Sequence, residues 1–347
     1  MVRNNAVPRR QLLESLGALT AAMLFNAERS SAQAGSSPVS NAKFRIDTHH
    51  HYSVPGFRAA LAQARQQRVL DWSVQKSLED MDRGGVATAI LSIGEPGLWF
   101  GNDEAARRLA RECNEYGARL VKDHPSRFGL FAALPLPDVA GALREVEYAL
   151  DVLKADGICL LSSYQGHYLG NPMFAPLMEE LNRRGAVVFC HPACASCWVG
   201  GGYRVDLPEN QNRVVEFVFD TSRTIVSLLA SGSTRRYSQI RHIWSHGGGT
   251  VPFMTLRVAA AASRPESEVI GELQRFFYDC ATVVDPYALA AFKKLIPATQ
   301  ILFGTDYPFF GASTVANGLL TNGGFTEPEL RAIQRDNAMR LLPRLKV

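Results

Sequence analysis

The sequence predicts a (β/α)8 TIM barrel, because eight short apolar runs alternate with longer segments of helical period. The runs are rich in β-branched and aromatic residues and almost continuously apolar, which is typical of parallel strands buried on both faces. They fall within about 260 residues, which matches a TIM barrel in count and size. A doubly wound open sheet is the alternative, but no glycine-rich dinucleotide-binding turn follows the first run.

Most of the predicted strands are followed by a segment of helical period. The strands are residues 44–49, 86–92, 128–134, 157–162, 186–191, 240–246, 276–282 and 300–306. The clearest helices are residues 103–122, 139–155, 174–184 and 286–295. A helix between two parallel strands carries the chain back across the sheet, so this order predicts repeated βα units. The tail from Glu327 predicts a closing helix that packs on the barrel.

The first 34 residues predict an export signal and are set aside from the barrel. Arg9 and Arg10 form a twin arginine, residues 16–25 are mostly apolar, and Ala32-Gln33-Ala34 has the pattern of a cleavage site. This is the layout of a Tat-type signal, whereas an ordinary amphipathic helix is the alternative. The apolar stretch is too short to span a bilayer. We therefore expect residues 35–347 to form one exported or periplasmic barrel domain without a membrane span.

The charge of the chain gives no reason to expect a nucleic-acid partner. Removal of residues 1–34 takes away four Arg and two Glu, so the formal net charge falls from +4 to +2. The remaining 313 residues contain no run of Lys or Arg. A nearly neutral chain of this kind lacks the basic surface that attracts phosphates.

One long loop carries the two cysteines that lie close together. Residues from about 193 to 212 exceed the usual length of a βα loop and predict a lid over the barrel mouth. Cys194 and Cys197 form a Cys-x-x-Cys pair there. The pair could be a disulfide or two thiols beside the pocket, and without a second such pair a structural zinc site is not expected.

Side chains of metal-ligand type lie at the ends of four predicted strands. They are His49 and His51 after the first strand, His191 after the fifth, His246 after the sixth and Asp306 after the eighth. The carboxyl ends of TIM-barrel strands converge on one mouth, so these residues are expected to meet. Three imidazoles and one carboxylate suit Zn²⁺ and also tolerate Mn²⁺. The fifth group would then be free for acid–base chemistry.

The middle histidine of the first strand end is not expected to be a ligand. Successive side chains of a strand point to opposite faces, so His50 points away from His49 and His51.

Four short motifs surround these residues. They are Asp47-Thr48-His49-His50-His51, His191-Pro192, Ser245-His246-Gly247-Gly248-Gly249 and Gly304-Thr305-Asp306-Tyr307-Pro308. Further motifs are Trp72-Ser73, Leu134-Pro135-Leu136-Pro137-Asp138 and Phe219-Asp220-Thr221-Ser222-Arg223. Together they resemble the amidohydrolase-2 group, and within it the branch that contains aminocarboxymuconate-semialdehyde decarboxylase and 6-methylsalicylate decarboxylase. The resemblance covers nearly all of residues 35–347.

The resemblance implies a role for each residue of the metal site. His49, His51, His191 and Asp306 are the implied ligands, and His246 is the implied outer base. In related decarboxylases the aspartate ligand also takes part in proton transfer. The fourth strand lacks the lysine that two-metal members of the superfamily use as a bridge, which implies a single divalent cation.

The resemblance and the residue types also suggest groups that bind the substrate. Arg257 matches an arginine that in relatives reaches the neighbouring subunit's pocket, which implies a homodimer or a larger homo-oligomer. Arg223 is a second candidate, because a guanidinium grips a carboxylate with two parallel hydrogen bonds. Trp99, Phe100 and Trp198 follow strands two and five and could flank a planar ring.

Three functions are compatible with such a site. The first is non-oxidative decarboxylation of a small aromatic acid of hydroxybenzoate or 6-methylsalicylate type. The second is hydrolysis of a lactone or amide by metal-activated water, since hydrolases share this scaffold. The third is metal retention without catalysis, and the presence of His246 beside a complete ligand set argues against it.

Overall fold

Eight parallel strands form the central sheet, and each pairs with the next one along the chain. They are β1 (Arg45–His51), β2 (Val86–Ser92), β3 (Phe128–Ala133), β4 (Gly157–Leu161), β5 (Val187–His191), β6 (Arg241–Trp244), β7 (Phe277–Asp279) and β8 (Ile301–Leu302). The backbone N–H of Thr48 donates to Phe303 O, and that of His51 to Tyr307 O, both at 2.9 Å. The sheet therefore closes on itself, and the predicted TIM barrel is confirmed.

The computed structural model describes residues 43–64, 71–193 and 209–345, which belong to one unit, Ser40–Val347. The predicted export signal and the Cys194–Cys197 pair lie outside the described residues. Most of the predicted insertion at 193–212 does too, although its last four residues already belong to a helix that begins at Glu209.

Helices surround the barrel in the order that alternation predicts. They are α1 (Pro55–Gln63), α2 (Val74–Arg83), α3 (Asp103–Asp123), α4 (Val139–Glu147), α5 (Ala175–Arg183), α6 (Glu209–Ala230), α7 (Ser233–Arg236), α8 (Thr255–Ala261), α9 (Glu266–Leu273), α10 (Pro286–Leu295), α11 (Ala312–Asn322), α12 (Glu327–Arg331) and α13 (Asn337–Leu341). π-helical turns follow α4 at Tyr148–Val152 and join α12 to α13 at Ala332–Asp336. Within the described ranges, no helix is both long and apolar enough to cross a membrane.

The C-terminal segment closes the amino-terminal end of the barrel. Leu341, Leu342 and Leu345 are buried in one cluster with side chains that point into the barrel from its strands, including Ile46 and Phe131. Burial of each such leucine contributes roughly 2 kcal/mol. The predicted closing helix is therefore confirmed, and it leaves the opposite end of the barrel open for a site.

Several strands end earlier than predicted, and for β6 and β8 the reason lies in side chains. β6 stops at Trp244 and β8 at Leu302, so His246 and Asp306 lie beyond the strands. Both residues have positive φ, 53° and 64° respectively, which is incompatible with a strand. The backbone around each residue donates hydrogen bonds to buried carboxylates instead of to a neighbouring strand. For example, the Thr305 N–H donates to Asp47 Oδ1 at 3.0 Å.

Candidate active site

Five side chains meet at the carboxyl-terminal mouth of the barrel, and all of them are buried. They are His49, His51, His191, His246 and Asp306, the residues that the sequence singles out. β1 contributes two because alternate side chains share a face, and β5 contributes one at its last position. The turns that follow β6 and β8 contribute the remaining two.

The distances within this cluster are those of ligands that share one cation. His51 Nε2 lies 3.1 Å from His49 Nε2, 3.2 Å from His191 Nε2 and 3.1 Å from Asp306 Oδ1. Asp306 Oδ1 lies 3.2 Å from His49 Nε2 and 4.0 Å from His191 Nε2. Ligands about 2.1 Å from a tetrahedral ion are separated by roughly 3.4 Å, so the four atoms fit around a single ion.

The other nitrogen of each ring is turned outward to an acceptor. His191 Nδ1 lies 2.9 Å from Pro192 O, and His51 Nδ1 lies 3.3 Å from Ser92 O. The Nδ1 of His49 faces a buried carboxylate. A ring that donates through Nδ1–H keeps the lone pair on Nε2, which points at the centre. The structure therefore contains a site suited to a divalent cation.

The three rings differ in how burial and nearby charges shift their pKa. Burial lowers the pKa of His51 and brings that of His191 well below its usual range, so both rings are neutral. Burial also opposes a charge on His49, but Asp279 and Asp306 outweigh it and raise the pKa of that ring to about 10. The two carboxylates therefore create a negative field that favours positive charge at the centre.

His246 occupies a different position from the other three histidines. Its Nε2 lies 3.5 Å from Asp306 Oδ2, the oxygen opposite the one that contacts His49 and His51. Its Nδ1 is buried and has no hydrogen-bond partner among the described residues. One nitrogen therefore faces the aspartate while the other is available to a bound molecule.

Two sets of four ligands are geometrically possible. In one, His246 replaces His51, and the ligand atoms of His49, His191, His246 and Asp306 all lie within 4.8 Å of one another. The set with His51 is tighter, because His51 Nε2 lies within 3.2 Å of three other ligand atoms. The shorter contacts favour His51 as the ligand and leave His246 outside the ion's shell.

Asp279 is a site residue that the sequence reasoning missed. It ends β7, is fully buried, and its Oδ2 accepts from His49 Nδ1–H at 2.8 Å. A carboxylate at the end of an apolar strand was the available signal, since such a group is not buried without partners.

Asp47 and His50 support the site without joining it. Asp47 accepts from the Thr305 hydroxyl at 2.7 Å and from the His49 N–H at 3.0 Å, which fixes β1 to the turn that carries Asp306. His50 bonds to Asp47 Oδ2 and to Ser77 Oγ. The His50 side chain therefore points away from His49 and His51, as strand alternation predicts.

None of the three predicted substrate-binding residues bonds to the cluster in the described part of the chain. Arg257 is exposed on α8. Arg223, on α6, forms an ion pair with Glu216 at 3.0 Å. Trp99 is half-buried and donates to Asp103 Oδ1 at 2.7 Å.

Two aromatic rings that the sequence does not single out lie next to the cluster. The Phe217 ring centroid is 5.9 Å from that of His191, and Phe309 is 6.2 Å from His51. Both stand edge-on, so they form apolar walls beside the proposed ligands. Trp198 lies outside the described residues.

Comparisons with known proteins agree with this geometry. A family model described as Amidohydrolase matches residues 46–344. The chain is 35% identical over 329 residues to the 6-methylsalicylic acid decarboxylase acuB of Aspergillus aculeatus, covering 87% of this chain and 97% of the relative. The crystal structure of an amidohydrolase II superimposes with a TM-score of 0.79 at 27% identity, covering 86% of this chain and 99% of that one.

A more distant structure shares the fold. It is a dihydroxybenzoic acid decarboxylase from Polaromonas sp. JS666 with bound manganese and 2-nitroresorcinol, with a TM-score of 0.72 at 22% identity over 88% of this chain and 98% of that one. The family match spans nearly all the described residues and includes every member of the cluster. The chain therefore belongs to the amidohydrolase family, as its metal-site motifs predict.

Proposed function

We propose that this protein is a metal-dependent, non-oxidative decarboxylase of a small aromatic carboxylic acid of hydroxybenzoate or 6-methylsalicylate type. The observation that carries the proposal is that Asp306 presents one oxygen to a compact ligand set and the other to His246. The ligand set would hold a cation, and the His246–Asp306 pair can move a proton. The names of the relatives support the same reaction class.

The proposed ligands are His49, His51, His191 and Asp306. A divalent cation held there would neutralise the charge of the substrate's carboxylate and of an oxygen ortho to it. The three imidazoles favour zinc, although manganese is also compatible and is present in a relative. Elemental analysis of protein purified without added metal tests this assignment.

Proton transfer falls to His246 and to the Asp306 oxygen that the ligand contacts leave free. Asp306 Oδ2 is not used by the short contacts to His49 and His51, and it lies 3.5 Å from His246 Nε2. We assign to this pair delivery of a proton to the ring carbon that carries the carboxylate. The C–C bond to CO₂ then breaks, and its electron pair restores the aromatic ring. One proton is taken up and one CO₂ leaves, so the reaction balances.

A substrate panel tests the proposal. Metal-loaded protein is incubated with salicylates and dihydroxybenzoates, and CO₂ release is measured beside the metal content of the same sample. The expected result is CO₂ release from at least one acid in proportion to bound metal. Absence of CO₂ from every acid contradicts decarboxylation. Incorporation of ¹⁸O from water into the organic product favours hydrolysis.

We further propose that the active form is a homodimer in which Arg257 reaches the partner's pocket. Phe253 and Leu256, which precede Arg257 in sequence, are each 68% exposed, and Val214 is 76% exposed. Large exposed apolar side chains of this kind mark interaction surfaces. Leu256→Asp is expected to shift the protein to monomer in sedimentation. An unchanged mass at micromolar concentration would argue against this interface.

We also propose export through the Tat pathway, on the basis of the twin arginine at Arg9 and Arg10, the apolar residues 16–25 and the Ala32-Gln33-Ala34 pattern. A reporter fused after residue 34 should be exported, and export should stop when both arginines are replaced by lysine. Export that survives this replacement contradicts a twin-arginine signal.

A further inference from the structure

The carboxylate of Asp279 connects two residues that have different roles in the proposed reaction. Its Oδ2 accepts from His49 Nδ1–H at 2.8 Å. Its Oδ1 accepts from the backbone N–H of His246 at 2.9 Å and from that of Ala281 at 3.0 Å. The side chain is fully buried, so no solvent competes for these bonds.

The first bond determines which nitrogen of His49 is free. An ionised carboxylate can only accept, so Nδ1 carries a hydrogen and Nε2 is the nitrogen that would present its lone pair to a bound cation. That lone pair points to the space shared with His51 and Asp306, which lie 3.1 and 3.2 Å away. The negative charge of Asp279 also raises the basicity of Nε2, which makes His49 a stronger ligand for a cation.

The second bond holds His246 in an unfavourable backbone conformation. With φ at 53°, this residue is in the left-handed region, which costs about 1 kcal/mol for a side chain other than glycine. The bond from its N–H to Asp279 Oδ1 replaces a strand partner at this turn. With the backbone held there, the imidazole reaches Asp306 Oδ2.

A glycine in the turn after β8 makes room for the pair. A Cβ added at Gly304 would lie 2.7 Å from the Cβ of Asp279 and 2.9 Å from the Cβ of His49. Contacts under 3.0 Å are not tolerated, so a larger residue would push one of the two away. The chain therefore accommodates the approach of Asp279 to His49 at this point.

We propose that Asp279 is a positioning residue that controls metal affinity through His49 and proton transfer through His246. The inference rests on the proposed function for its second half only. The buried carboxylate of Asp279 would then couple metal binding to proton transfer, because a shift of β7 moves His49 and His246 together.

The two halves can be separated by Asp279→Asn. The amide oxygen can still accept from the N–H of His246, but the amide NH₂ faces His49 Nδ1 and donates to it. The hydrogen of His49 is thereby forced onto Nε2, against the cation. We expect metal affinity, measured by competition with a chelator, to fall 10- to 100-fold.

Asp279→Ala removes both bonds and gives the comparison. At saturating metal, we expect it to lower kcat at least tenfold below the asparagine variant, because only alanine releases the His246 backbone. Asp156→Asn is the matched control, since the Asp156 side chain is 4% exposed but bonds to the Leu130 N–H and to Arg344 of the C-terminal segment. Its metal affinity should equal that of the wild type.

Two results would overturn the inference. One is wild-type metal affinity in Asp279→Asn, and the other is equal kcat in the asparagine and alanine variants at saturating metal. If the asparagine variant does not fold, Gly304→Ala displaces the pair from the other side, and unchanged metal affinity there overturns it as well. Metal affinity needs no substrate, so this half can hold even if no aromatic acid is decarboxylated.

Discussion

At the residue scale, the site depends on which nitrogen of each histidine is free. Three rings fix Nδ1 outward and leave Nε2 to the centre, whereas His246 keeps a buried Nδ1 without a partner in the described part of the chain. This difference separates ligands from an acid–base group. The residue types and their spacing predict the five members of the cluster. They do not reveal Asp279, because its role depends on contacts between β1, β6 and β7.

His246→Asn tests the assignment of roles within the cluster. Without the imidazole, kcat is expected to fall about 10²- to 10⁴-fold, while the metal content of the purified protein stays near that of the wild type. Activity and elemental analysis are measured on the same samples. His51→Asn is the comparison, and it should lose metal. If His246→Asn loses the metal and His51→Asn retains it, the ligand set with His246 is correct.

The burial of His242 predicts how the free energy of unfolding changes with pH. It is buried against Trp244, with ring centroids 5.1 Å apart, and burial lowers its pKa from 6.5 to about 4. The unfolded chain therefore binds a proton more readily than the folded one. The contribution of neutral His242 to the free energy of unfolding is complete above pH 6.5. It declines as the pH falls, and the loss reaches roughly 3 kcal/mol at pH 4.

Urea unfolding at several pH values checks this contribution. His242→Phe keeps an aromatic ring beside Trp244 and cannot be protonated. The loss of unfolding free energy between pH 7 and pH 4 should be smaller in this variant than in the wild type. Equal losses in the two proteins would show that His242 does not titrate as its burial indicates.

At the element scale, the strands position the site and the turns after them complete it. The apolar runs predict all eight strands, and β2 and α10 match the prediction at both ends. The ends of β6 and β8 are not predictable from apolar character, since buried carboxylates from other strands replace the ladder bonds there. Hydrophobic pattern identifies elements, whereas their ends at the site depend on tertiary hydrogen bonds.

Leu341→Ala tests the closing function of α13. This residue is 2% exposed in the cluster beneath the barrel, so the substitution leaves a cavity. We expect the free energy of unfolding to fall by about 2–5 kcal/mol. Metal content should be unchanged, because the site lies at the other end of the strands. Loss of metal in a folded variant would show that α13 also supports the active-site end.

At the scale of the whole molecule, the barrel brings together residues up to 257 positions apart in sequence, and this is why the resemblance spans the chain. Sequence reasoning reaches the fold, the cluster and the reaction class because barrel topology converts strand order into proximity. The sequence predicts the substrate-binding residues less accurately. Arg223 is ion-paired on α6 and Arg257 faces outward on α8, and only a bound substrate or a second subunit would give either a role in recognition.

The central claim is that the cluster protonates an aromatic ring and releases CO₂. Its most direct test is the reaction of metal-loaded protein with an accepted hydroxybenzoate in D₂O, with the product analysed by NMR. The account predicts one CO₂ per product molecule and one deuterium on the carbon that carried the carboxylate. A product that retains its carboxylate, or one that has gained oxygen from water, would contradict it.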